Sequence, residues 1–121
     1  LAPVIAGGNT CVLLASERKP LCAVSFAEVL HASDVPGGVV NILTGFRAEL
    51  TEHFASHMDV NAVVYCDGGR KTARTVQELA ADNVKRVIAR TGTDWTKSSS
   101  QHPYLIRDTQ EVKTTWHPIG T

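Results

Sequence analysis

The residues with the most chemical promise lie in three short stretches: Glu17, Thr44-Gly45 and Cys66-Asp67-Gly68-Gly69. In the last, a glycine pair precedes Arg70, Lys71, Thr72 and Arg74. Glycine lets backbone approach a ligand, and the open N–H groups of a helix start attract phosphate. The cations add donors and positive charge, while Asp67 sets a carboxylate against them. The same residues also suit a tight strand-to-helix turn followed by solvated cations. Gly-Arg-Lys-Thr is not a Walker loop, because the Gly-Lys-Thr order and the upstream glycine are missing. His53 and His57 stand four apart near Glu52 and Asp59, a spacing that supplies two metal ligands on a continuous helix. Their order, His-Phe-Ala-Ser-His, is not a zinc-protease pattern, and His57 falls past the expected helix end. Surface histidines and no metal are expected. Cys66 near cations is a conceivable thiolate, but no histidine adjoins it and a small buried hydrophobe is the alternative. The chain has no nucleophile elbow, no carboxylate pair spaced for acid–base work and no aromatic-basic signature for nucleic acid.

Strands and helices must hold these stretches in place. Cys11 to Ala15 is a short apolar run and reads as a buried strand. Pro20 suits a first helical turn, and Leu21 to His31 carries apolar residues at Cys22, Phe26, Val29 and Leu30. Ser33 to Gly38 ends that helix with turn residues. Val39 to Leu43 is a second strand, and Ala48 to Ser56 a short helix with Leu50 and Phe54 on one face. Ala62 to Tyr65 is a third strand, followed by a helix from Lys71 through Ala81 with Val76 and Leu79 inward. Asp82-Asn83 is either an exposed point on a longer helix or a turn into a fourth strand over 84–88. The polar stretch from Thr91 to Gln110 reads as an irregular connection. Val112, Thr114 and Trp116 alternate with Glu111, Lys113 and Thr115, the period-2 mark of a terminal strand. Strands alternating with helices predict an α/β fold of parallel βαβ units. In such sheets ligands sit beyond the carboxyl ends of the strands, where all three stretches fall.

Composition narrows the rest. The chain has 121 residues, 43% of them hydrophobic, enough for one core in one domain. No apolar run reaches the ~20 residues that span a bilayer, and Leu-Ala-Pro-Val-Ile-Ala-Gly-Gly lacks the basic start of a signal peptide. Three cysteines without CxxC spacing suit a reducing cytoplasm. Net charge is zero, but residues 1–69 carry −4 and residues 70–90 carry +4. The basic stretch marks either an anion-binding segment or a solvated face.

The motifs together resemble one family. Ala6-Gly-Gly-Asn-Thr-Cys-Val-Leu-Leu-Ala-Ser-Glu17 with Pro20-Leu21 is similar to the aldehyde dehydrogenase pattern AAGNTVVLKPSE…TPL. Val35 to Gly45 resembles its PPGVVNVLTG segment, and Ala55-Ser-His-Met-Asp-Val60 its ASHPDV. Val64-Tyr-Cys-Asp-Gly68 takes the place of its SFTGS loop. Asn83 to Val87 resembles the strand leading into ELGG, which favours a strand over 84–88. Glu111-Val-Lys-Thr-Thr-Trp116 resembles its terminal EVKTV strand.

This resemblance implies a Rossmann-like NAD(P)-binding domain over 1–92, a parallel sheet of three to four strands with flanking helices. It implies a connecting loop over 93–110, and an oligomerisation tail over 111–121 whose edge strand joins a neighbouring subunit. Glu17, Gly45, Gly68 and Gly69 fall on cofactor-binding positions for NAD or NADP. Several positions depart from the pattern. The ribose-holding lysine is Leu14, Asp67 adds a negative charge beside the pyrophosphate, and Arg47 stands where the family has a glycine. The general-base glutamate of ELGG falls on Arg90, which takes no proton at working pH. None of Cys11, Cys22 or Cys66 aligns with the nucleophile, and the oxyanion-hole asparagine would lie upstream of Leu1. No catalytic residue is therefore assigned. The expected role is a truncated, non-catalytic structural or regulatory subunit. Through 111–116 it would associate with itself or with a full-length relative, without nucleic acid or membrane. The alternative is an NAD(P)-binding subunit whose catalytic domain lies on another chain.

Overall fold

The computed structural model describes residues 1–66 and 68–120. After a short helix that the sequence reading did not assign, α1 (Ala2–Ala6), its elements alternate as expected: β1 (Cys11–Leu14), α2 (Leu21–His31), β2 (Val40–Leu43), α3 (Arg47–Ser56), β3 (Ala62–Tyr65), α4 (Arg70–Ala81) and β4 (Arg86–Ala89). Two 3-10 helices follow, Ser98–Ser100 and Pro103–Thr109. The fold is α/β, and Asp82-Asn83 does lead through a turn into a fourth strand.

The strands pair in parallel, β1 with β2 from Cys11 opposite Val40 and β3 with β4 from Ala62 opposite Arg86. They form two separate two-stranded sheets rather than one continuous sheet of three to four. Residues 111–120 hold no strand, although their alternation predicts one. The physical reason is the same in both cases. A strand exists only where a partner edge supplies the other half of its hydrogen bonds, and period-2 patterning cannot name that partner.

The core lies in the second half of the chain. Ala55 of α3, Tyr65 of β3, and Ala73 and Val76 of α4 form one buried cluster, with Val63, Leu79 and Val87 packed against it. On α4 the inward residues Ala73, Val76 and Ala80 recur at three- and four-residue steps, while Arg74 and Glu78 pair across its wet face at 2.9 Å.

Other elements cap α3 at both ends. Phe46 at its start has no side-chain acceptor, and the Glu17 carboxylate takes the Arg47 N–H at 3.1 Å instead. At its far end Asn83 Nδ2 donates to Ser56 O at 3.0 Å, and the buried Lys85 ammonium donates to Phe54 O and His57 O. An anion at the start and a cation at the end both oppose the helix dipole. Burial lowers the Lys85 pKa. The turn that delivers Lys85 sets Val84 at φ 54°, a left-handed conformation strained for a β-branched residue.

In α2 the half-buried residues are Ala23, Ala27 and Leu30, whereas Cys22, Phe26 and Val29 are exposed. Of the four apolar residues expected along this helix, only Leu30 turns inward, and the other three face solvent. Nearly every position of this helix is apolar, so periodicity leaves its rotation open.

Candidate functional site

The carboxyl ends of β1 and β2 enclose a cleft of about 210 Å³ lined by Ser16, Glu17, Pro20, Thr44, Gly45 and Phe46. It brings together two of the four expected cofactor positions. Glu17 turns one oxygen, Oε2, onto the Arg47 N–H. Its other oxygen accepts no hydrogen bond among the described residues, and a carboxylate oxygen so placed can take a hydroxyl donor. A Cβ at Gly45 would lie 2.8 Å from Leu50 Cδ1, the far end of a flexible side chain that would have to shift. Leu14 ends β1 just before the cleft and offers no polar group. The donor set therefore fits a ribose hydroxyl through Glu17 alone.

Gly68 and Gly69 lie elsewhere, at the start of α4, and do not line this cleft. Gly68 has φ +81°, and a side chain there would collide with the Tyr65 hydroxyl, itself buried without a hydrogen-bond partner. Arg70, Lys71 and Arg74 are exposed on α4. Asp67, the carboxylate expected to oppose phosphate, lies outside the described residues.

Arg90, just past β4, forms an ion pair with Asp108, both about 30% exposed. Its backbone N–H extends the strand pair to Tyr65 O at 2.8 Å. Arg86, at the start of the same strand, donates to Asp108 O and Gln110 O. Gln110 Nε2 in turn donates to Gly7 O, and Asn9 Nδ2 reaches Thr109 O at 3.4 Å. The polar stretch read as an irregular connection is thus a strap, clasped to β4 on one side and to the turn after α1 on the other. Sequence reasoning placed Arg90 but missed its partner, because Asp108 stands eighteen positions away with no local pattern joining them.

His53 lies in the last turn of α3 and His57 past its end, where His57 Nδ1 accepts the Asp59 N–H at 3.2 Å. Among the described residues no group of three or more His, Cys, Asp or Glu is placed to hold a metal. No disulfide joins the cysteines, and burial raises the Cys11 pKa. Among the described residues no helix is long and apolar enough to cross a membrane.

Residues 1–95 match the model of the aldehyde dehydrogenase family. The chain belongs to that family. It is 36% identical over 87 residues to a hydroxyisobutyraldehyde dehydrogenase of Mycolicibacterium austroafricanum, covering 72% of this chain and 17% of that protein. It is 39% identical over 93 residues to a mitochondrial aldehyde dehydrogenase of Leishmania tarentolae, covering 76% and 18% respectively. With aldehyde dehydrogenase 1 of Tanacetum cinerariifolium it shares 32% identity over 114 residues, 93% of this chain and 21% of the relative. The chain thus spans about a fifth of the length of the aldehyde dehydrogenases it matches. No solved structure matches it.

Proposed function

We propose that this chain acts as a non-catalytic structural or regulatory subunit of an aldehyde dehydrogenase-type assembly. Residues 1–92 form its cofactor-type domain, 93–110 its connector and 111–121 its association tail. The observation that carries this role is Arg90. It stands where the family's pattern has the general base, it cannot accept a proton, and Asp108 holds it in an ion pair. Leu14 and Asp67 weaken the cofactor side of the same equipment. The tail joins this chain to a second copy or to a full-length relative, with no role for nucleic acid or membrane, and the absence of disulfides suits the cytoplasm. The test is an assay of the purified chain with short aldehydes and NAD or NADP. No reduced nicotinamide is expected, and steady turnover would overturn the proposal.

A second role is favoured by the Glu17 cleft: binding NAD(P) for a catalytic domain on another chain. Glu17 would hold a ribose hydroxyl, and the bound cofactor would supply the hydride acceptor. Calorimetric titration with NAD and NADP decides it. Saturable heat lost in Glu17→Gln supports it, and no heat at millimolar cofactor removes it.

A further inference from the structure

The charged contact that holds the strap to β4 is only half made. Arg90 Nη2 donates to the Asp108 carboxylate, while Arg90 Nε lies buried with no hydrogen-bond partner among the described residues. Nε and Nη2 together form the edge of a guanidinium that matches two oxygens of a carboxylate or phosphate. Asp108 thus takes one prong of the fork and leaves the other unused. Thr109, the next residue of the strap, also keeps its hydroxyl buried without a partner among the described residues. A buried donor with no acceptor carries a cost that a better-placed oxyanion removes.

Place and charge favour such a ligand. Arg90 follows β4 directly and its N–H bonds to Tyr65 O. It therefore stands at the carboxyl end of the β3–β4 pair, where open α/β sheets receive ligands. The side chains of Arg90 and Asp108 are 30% and 27% exposed, so an ion from solution reaches them without opening the core. Residues 86–90 carry Arg86 and Arg90 and no acid, and residues 103–111 carry Arg107 against Asp108 and Glu111. Cations outnumber acids here even with Glu111 included. Among the described residues Arg90–Asp108 is the strap's only ion pair. Its other ties end on backbone carbonyls: Asn9 on Thr109 O, Gln110 on Gly7 O, and Arg86 on Asp108 O and Gln110 O.

We propose that Asp108 is an internal stand-in for an oxyanion ligand. A carboxylate or phosphate from solution takes both Nε and Nη2 of Arg90, and Asp108 is released. The strap then gives up its one ionic hold while its carbonyl ties remain. It loosens when the ligand binds and closes when the ligand leaves. The arginine that cannot serve as a base becomes the group that recognises an anion. Nothing in this depends on the Glu17 cleft or on NAD(P).

Titration of the whole chain with inorganic phosphate and, separately, with acetate tests this. Amide resonances of residues 86–90 and 103–110 report binding, and sodium chloride at matched ionic strength is the control. Saturation in the millimolar range is expected, and the tighter of the two anions names phosphate or carboxylate as the group preferred. Asp108→Asn keeps the side chain's shape and removes the competing charge, so binding about tenfold tighter is expected. Arg90→Gln should abolish it, with circular dichroism checking that both variants fold. In the wild type, hydrogen exchange over 103–109 should quicken about twofold or more at saturating anion and not with chloride. No saturation in either the wild type or Asp108→Asn overturns the site. So does an Asp108→Asn chain that binds no tighter, an Arg90→Gln chain that still saturates, or a response that chloride equals. Saturation without faster exchange over 103–109 overturns the release of the strap.

Discussion

Two halves of this chain use the same strand-helix-strand plan and reach different interiors. In the second, α3 and α4 pack on one another beside the β3–β4 pair and enclose Ala55, Tyr65, Ala73 and Val76. In the first, α2 lies alone on the β1–β2 pair, and Ala15 is its only buried hydrophobic residue among the described ones. A parallel pair has two faces and two edges, and one helix cannot cover them all. The second half carries its own core; the first presents apolar surface to solvent, Leu21, Phe26 and Val29 among it.

The sharpest way to break this comparison is Val76→Asp. Val76 is 1% exposed in the core of the second half. A buried carboxylate there is expected to cost about 4 kcal/mol or more and abolish a cooperative thermal transition. A wild-type melt would show that the second half is no better filled than the first. Next in size is Arg90→Ala, which strips Asp108 of its partner and loosens the strap. A loss of about 1–2 kcal/mol is expected, modest because the pair is about a third exposed. Hydrogen exchange should quicken over 103–109, and an Asp108→Ala double-mutant cycle should recover most of the loss as coupling.

Glu17→Ala links the two halves, since Glu17 follows β1 and caps α3. About 1 kcal/mol of stability should disappear in denaturant titration. Glu17→Gln should lose less, because it keeps an acceptor and gives up only the charge. The smallest effect is expected at Phe26→Ser in the open half. Stability should change by no more than about 0.5 kcal/mol. A large loss of stability there would mean that α2 buries Phe26 after all.

The sequence made the second half far more legible than the first. On α4, cations and glutamate alternate with Ala73, Val76 and Ala80, so only one face can turn inward. On α2, Cys22, Val24, Phe26, Val29 and Leu30 surround the helix, and of the four residues that pattern picked out only Leu30 turns inward. The cleft was legible in part. Glu17 and Gly45 were expected at strand ends and do meet there, but the cap that Glu17 gives α3 spans thirty positions and leaves no local trace. The terminal strand failed for a related reason. Its alternation is real, while the edge it needs does not belong to its own neighbourhood.

The clasp between the turn after α1 and the strap also has a consequence for timing. The bond from Gln110 to Gly7 joins residues 103 positions apart, so closing it early would cost more chain entropy than any helix or strand pair. Both strand pairs and the strap must be in place before those partners meet. The clasp should therefore form last on the way to the folded chain and open first on the way out. Amide protons of α1 and of 103–109 should then exchange while those of α4 are still protected.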